Sequence, residues 1–419
     1  MESKQTDKLF LQALKAALQQ KTVAWETELP AEDWLVLFQT AEKHQVFPMI
    51  YEAVFRCPAA QQAGPQILAP FKQRTVRYVM LQTMKSNEFY GLFRHLRSSG
   101  VLALVVKGII CRSLYPQPDY RISGDEDVLI PPEQFELCHK AMLEYEMQLS
   151  DPTQDIQEVY EVPYGKLGSP LYIELHKSLF PTDSDAYGEL NRYFDRVHER
   201  AIEIQVDGVP ITTMEYTDHL FYLICHAFKH FLHSGVGIRQ ICDITLFANT
   251  YGKDIDWPLM RERCREIHAD LFTVALFQVG QKYLTFDPVQ ACYPKEWQEI
   301  QVDETMLLMD LLDAGIYGDG SMSRKHSSNI TLNAMSSQKQ GKKVGNSVIS
   351  SLLPSAKKLE CRYPYLKKYP YLLPVAWGNR IMKYRKETKQ SQNNDVASTL
   401  SIGKRRLELL KEYQILDNE

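Results

Sequence analysis

The chain has 419 residues, 44% of them hydrophobic and 24% charged, which is enough apolar material for a large core split into two or three units. A formal net charge of -4 argues against a general nucleic-acid binder, because only the region after Lys325 is locally basic, leaving room for no more than a small patch for transfer RNA. Eight cysteines without a CxxC pair argue for reduced core thiols rather than a disulfide framework or zinc site. The first residues lack a signal peptide's apolar stretch and no segment reaches the length of a membrane span, so the expected location is cytoplasmic.

Residues 1–97 form an expected N-terminal helical region. Leu9, Leu11, Leu14 and Leu18 keep helical spacing, Trp34–Lys43 gives a second helix, and Phe71–Leu96 a long third one. No chemistry is visible there, and His44 reads as structural. These helices are expected to pack on the following unit and frame an acceptor pocket.

Residues 98–212 change to an α/β pattern. Val101–Val106 is a continuous apolar run, as for a strand buried on both faces, and it stops at the turn Lys107-Gly108 before a short helix Ile109–Tyr115. The run Arg121-Ile-Ser-Gly-Asp125-Glu126-Asp127-Val-Leu-Ile130 then enters a second strand. Residues i and i+2 share a strand face about 7 Å apart, so Asp125 and Asp127 present paired carboxylates while Glu126 faces away. Such a pair is costly without a cation, and its hard oxygens suit Mg2+ or Mn2+. Arg121, just ahead, either contacts phosphate or pairs with Asp119 or Glu126. Pro131-Pro132 ends the strand and Glu133–Glu146 reads as a helix. In Leu171–His176, Tyr172, Glu174 and His176 share a face, making Glu174 a candidate third carboxylate. Ala201–Val206, Asp207-Gly208 and Val209–Ile211 read as a hairpin extending or covering the sheet edge.

Residues 213–317 form an expected C-terminal helical domain. His226, Lys229, His230 and His233 fall at i, i+3, i+4 and i+7 on one helix face, with Arg239 and Asp243 on the next helix. Three readings stand for that stripe: a zinc site, a solvated face with Asp243 paired to Arg239 or Lys229, and phosphate or acceptor binding led by Lys229 and His230. Residues 318–347, rich in Ser, Gly, Lys, Gln and Asn, read as a mobile loop, with Arg324, Lys325, His326, Lys339, Lys342 and Lys343 either solvated or touching phosphates. The tail, 348–419, carries Tyr-Pro segments, lying on a membrane surface or strapped across the helical domain, and a charged helix Lys404–Tyr413.

Together, Leu104-Val-Val-Lys107-Gly108, Tyr115-Pro116, Arg121, Asp125-x-Asp127 and Ile173-Glu174-Leu175-His176 resemble the polymerase-β-like nucleotidyltransferase superfamily, and within it a bacterial branch of uncharacterised nucleotidyltransferases. The resemblance implies an α+β fold: a mixed β-sheet core flanked by helical regions. It also implies metal-dependent transfer of a nucleoside monophosphate from a triphosphate to an unidentified acceptor, with pyrophosphate released. Asp125, Asp127 and Glu174 then hold Mg2+ or Mn2+, Glu174 helping to deprotonate the acceptor, and Gly108 presents backbone amides to phosphate. Ile109 stands where the superfamily has Ser, so Lys107 takes over as a phosphate contact. His226, Lys229, His230 and Arg239 match a stretch that closes over the nucleotide. A catalytically silent nucleotide-binding or partner-binding protein and a toxin-like enzyme modifying transfer RNA are the alternatives.

Overall fold

The computed structural model describes residues 2–233, 235–315, 322–339, 356–359, 363–379, 382 and 396–416. The chain opens with α1 (Glu2–Leu18), α2 (Ala31–Lys43), α3 (Phe47–Val54) and α4 (Pro58–Ala63), followed by the 34-residue α5 (Pro65–Ser98). Pro48, Pro58 and Pro65 occupy first turns, where the missing N–H has no partner to lose. Trp34, Leu37, Phe38, Phe47 and Ile50 of α2 and α3 are buried together, and Phe71 of α5 stacks on Phe38 with ring centres 3.9 Å apart. Further along α5 the buried side turns polar: Gln82, Lys85 and Ser86 lie inside, next to Phe89, Tyr90 and Phe93.

His44, at the end of α2, is fully enclosed and packs on Phe10 with ring centres 5.2 Å apart. Burial, reinforced by the Lys43 cation, pushes its imidazole down to about 3 from 6.5. The unfolded chain protonates this ring below pH 6.5 and the native chain only near 3, so native stability falls with pH through that window. One such residue contributes up to ~1.4 kcal/mol per pH unit. Thermal melts of His44→Leu between pH 6.5 and 4 should show a shallower fall in Tm than the parent chain; an unchanged slope refutes the assignment.

The α+β class holds. Strands β1 (Leu104–Val105), β2 (Glu126–Leu129), β3 (Met147–Leu149), β4 (Glu161–Lys166) and β5 (Tyr172–His176) form a mixed sheet in the order β1-β2-β5-β4-β3. Only β2 and β5 run parallel. The short α6 (Gly108–Arg112) leaves β1, and α7 (Phe135–Glu144) buries Phe135, Cys138, Ala141 and Met142. Val101–Val106 pairs over two residues only, and β4 buries Val162 and Tyr164 while Glu161, Pro163 and Gly165 stay half-buried. The hairpin β6 (Ile202–Val206) and β7 (Val209–Thr213) is a separate two-stranded sheet. Its turn residues Asp207 and Gly208 have φ of 48° and 74°, as a two-residue hairpin turn requires. Thr213 Oγ1 donates to Val105 O at 2.6 Å, fixing the hairpin against β1.

Helices α8 (Tyr216–His233), α9 (Ile238–Tyr251), α10 (Trp257–Glu266), α11 (Asp270–Tyr283), α12 (Lys295–Gln298) and α13 (Glu304–Ala314) follow. The expectation of a mobile 318–347 loop is corrected in part: α14 (Met322–Lys339) occupies most of it. Its buried Ile330, Ala334 and Met335 lie at near-helical spacing, and its many Ser residues are small enough to pack. Arg324 is not a phosphate contact but is buried on Asp310, 2.7 Å away. The Lys325, His326, Lys339, Lys342 and Lys343 side chains lie outside the described residues. In the tail, Leu359, Leu366 and Ala376 form an apolar cluster of their own with Tyr363, Tyr365 and Trp377, rather than a strap joined to the main core. The final helix, Val396–Glu412, delivers Leu409 and Leu410 to the main core, and Tyr413 follows them there. Seven cysteines are described, all free, and among the described residues no helix is long and apolar enough to cross a membrane.

Candidate active site

Parallel pairing sets Asp127 of β2 opposite Glu174 of β5 and Leu129 opposite His176, so groups from two strands meet on one face. Ligand atoms of Asp127, Glu174 and His176 lie within 4.8 Å of one another. Asp125 stands just ahead of β2 and lines the same cavity, of about 250 Å³, without joining that tight trio. The third member at close range is therefore His176, not Asp125. Its place beside Glu174 in the strand alternation was the available signal.

Asp127 is divided between two partners. Its Oδ1 is 3.3 Å from His176 Nε2, and its Oδ2 is 2.8 Å from Lys107 Nζ. Burial alone would raise this carboxyl, but the Lys107 ammonium and His176 hold it well below the ordinary range. Glu174 forms no ion pair among the described residues, and Lys107 lowers it less than burial and the neighbouring acids raise it. Burial, with the charges of Asp127 and Asp125, pushes it up to about 8. A carboxylate pair of this kind calls for a proton or a cation. His176 Nδ1, buried, has no hydrogen-bond partner and lies 3.7 Å from Glu161 Oε2.

The opposite wall is α8. His226, Lys229 and His230 line the cavity, and His233 does not. His226 Nε2 is 3.4 Å from Lys107 Nζ and 3.3 Å from His230 Nε2, while its Nδ1 meets the Gln240 amide at 3.4 Å. Burial and the neighbouring lysines push His226 well below its ordinary value and His230 down to about 3, so both rings are neutral at pH 7. Lys229 is also lowered, chiefly by burial, and its Nζ sits 5.8 Å over the Tyr160 ring. The zinc reading of the stripe finds no third donor: among the described residues no metal-type cluster includes these histidines.

The loop that launches Asp125 is clamped from several sides. Lys85 Nζ donates to Ser123 O and Gly124 O, both at 2.6 Å, and Ser123 N–H donates to Gln82 Oε1 at 2.9 Å. Arg112 Nη1 donates to Ser123 Oγ at 2.9 Å, and Arg239 donates to Ile122 O and Gln45 Oε1. Lys85 and Gln82 escape sequence reading because they lie on a distant helix with no motif. Arg121 lines the cavity, yet its Nε and Nη2 donate to the two oxygens of Asp243 at 2.7 and 2.6 Å. Neither Asp119 nor Glu126 is its partner, and Asp243 pairs with Arg121 rather than with Arg239 or Lys229. Asp119 instead accepts from Thr83 and Ser86.

Gly108 also plays a different part from the one expected. It does not line the cavity, and the amide after it, Ile109 N–H, donates to Glu126 Oε2 at 2.7 Å. Glu126 faces away from Asp127, as alternation requires, and its other oxygen accepts from Arg112 Nη2 at 2.6 Å. With φ of +42°, a Cβ on Gly108 would stand 1.8 Å from Glu126 Oε2. Gly108→Ala should therefore cost ~3 kcal/mol or more in urea denaturation, combining a left-handed backbone with a forced break of the buried Glu126 staple. A variant as stable as the parent would show that the turn is not stapled this way.

No curated protein and no solved structure matches the chain. The family described as uncharacterised nucleotidyltransferase matches residues 30–285, a span that runs from α2 past α11 and takes in every residue of the site above. With more than half its length inside that match, and an acidic strand pair at its centre, the chain belongs to this nucleotidyltransferase family.

Proposed function

We propose that the protein transfers a nucleoside monophosphate from a nucleoside triphosphate to a hydroxyl-bearing acceptor, releasing pyrophosphate, in a reaction that needs a divalent metal such as Mg2+ or Mn2+. The observation that carries the reading is the Asp127–Glu174 register pair, with His176 beside it, in one cavity with Lys229 and the neutral His226 and His230 of α8. The donor set fits a divalent ion, since a buried acid, a half-buried acid and an imidazole bring ligand atoms within 4.8 Å of one another. A metal on Asp127, Glu174 and His176, with Asp125 alongside, supplies positive charge to the phosphate oxygens and aligns them for in-line transfer. Lys107 and Lys229 add positive charge in the cavity they line, and Glu174 accepts the acceptor's proton. Arg121, Arg239 and Lys85 hold the loop before Asp125 in place, whereas the family resemblance alone makes the two arginines phosphate contacts.

The test is a thermal-shift panel of the four common ribonucleoside triphosphates with and without Mn2+, followed by pyrophosphate release with candidate acceptors. A ligand at 100 times its dissociation constant should stabilise by ~2.7 kcal/mol. No metal-dependent stabilisation by any triphosphate sinks the reading. Stabilisation without release in total RNA, protein or small-molecule pools favours a silent nucleotide-binding protein, and label entering RNA alone favours a transfer-RNA-modifying enzyme.

A further inference from the structure

We propose that the site works with one divalent ion, held by Asp127, Glu174 and His176, and that the Lys107 ammonium takes the position and charge of a second one. The inference rests on the nucleotidyl-transfer reading above and adds a departure from the two-ion arrangement. Two ions about 4 Å apart are served well by a carboxylate that offers one oxygen to each. Here the shared carboxylate is already divided: Asp127 Oδ1 faces His176 and the trio, while Oδ2 is held by Lys107 Nζ at 2.8 Å. Lys107 is itself enclosed, with 11% of its side chain exposed, and it follows directly on β1, whose neighbour Val106 N–H donates to Asp127 O. A second metal would have to displace this ammonium. His226 Nε2 lies 3.4 Å from Nζ.

An ammonium has three N–H donors. The Asp127 ion pair engages one of them, which leaves N–H donors for a phosphate oxygen in the cavity that Lys107 lines. Asp125 lines the cavity but stands outside the tight trio, so no second cluster of metal donors exists among the described residues. The residue that departs from the superfamily pattern therefore has a positive assignment: a fixed charge built into the chain replaces an exchangeable one. The imidazole in the trio favours first-row transition ions that take nitrogen over Mg2+, which takes oxygen donors.

The experiment counts Mn2+ by electron paramagnetic resonance, alone and with a non-hydrolysable triphosphate, and measures triphosphate affinity in Lys107→Met and Lys107→Arg, with circular dichroism to establish folding. One Mn2+ per chain without Mn–Mn coupling, together with triphosphate affinity lowered ~10-fold or more in Lys107→Met and partly restored in Lys107→Arg, is the expected result. A spin-coupled Mn2+ pair, no bound Mn2+, or unchanged triphosphate affinity in a folded Lys107→Met protein overturns the proposal. If Lys107→Met does not fold, Lys107→Arg decides, since a guanidinium on Asp127 must still keep the count at one. A coupled pair in a protein that still releases pyrophosphate defeats only this inference, whereas absence of any triphosphate binding defeats the functional reading beneath it.

Discussion

Asp127→Asn is expected to reduce metal-dependent nucleotidyl transfer by at least ~1000-fold, equivalent to ~4 kcal/mol of transition-state stabilisation, while the sheet stays folded. Asparagine keeps the shape of the side chain but removes the charge that Lys107 and His176 both face. Glu174→Gln should act similarly, since it removes the only acid directly opposite in the parallel register. The informative contrast is between His176 and Asp125. Ligand geometry puts His176 in the trio and leaves Asp125 at its edge, so His176→Gln should weaken Mn2+ binding more than Asp125→Asn does. Calorimetric Mn2+ titration of the two variants checks this order. The reverse order would restore the paired-aspartate platform as the principal metal site, and retained activity in Asp127→Asn would remove the assignment altogether.

The contrast also marks where sequence reading reaches its limit. Alternation along Asp125-Glu126-Asp127 and along Tyr172–His176 correctly separates the faces of each strand, because side-chain direction in a strand is a local property with period two. Which strands lie side by side is not local. Asp127 meets Glu174 only because β5 runs parallel beside β2, and that pairing also brings in His176. The same limit explains Arg121: its partner Asp243 is 122 positions away, on the helix after the His226–His233 stripe, where nothing local links the two. Polar residues deep on α5, Gln82 and Lys85, look solvated in sequence and are instead buried under the Asp125 loop. The segment read as a mobile loop differs for a compositional reason: α14 is rich in Ser and Asn and does not display the period of the helix it forms.

Asp243→Ala should destabilise the protein by ~3–5 kcal/mol, the range for removing one partner of a buried ion pair. Arg121 is fully enclosed, and Asp243 accepts not only its two N–H groups but also Tyr115 O–H at 2.7 Å. Burial would raise the Asp243 carboxyl, and Arg121 holds it below the ordinary range, as expected of a charge stabilised by its partner. Deleting the acid leaves a guanidinium in the interior with no counter-charge, and the loop from Arg121 to Gly124 loses one of its ties to α9, keeping the Arg239 bond to Ile122 O. Replacing both members with apolar residues, Arg121→Met with Asp243→Leu, should recover much of the lost stability, because the desolvation penalty disappears along with the attraction. The loop stays loose in that double variant, so metal-dependent stabilisation by triphosphate should remain weaker than in the parent. Urea denaturation of the two singles and the double, run with and without triphosphate and Mn2+, separates this from a phosphate-binding role for Arg121. A phosphate ligand with a dispensable partner would leave Asp243→Ala as stable as the parent and put the whole effect of Arg121→Met into triphosphate affinity.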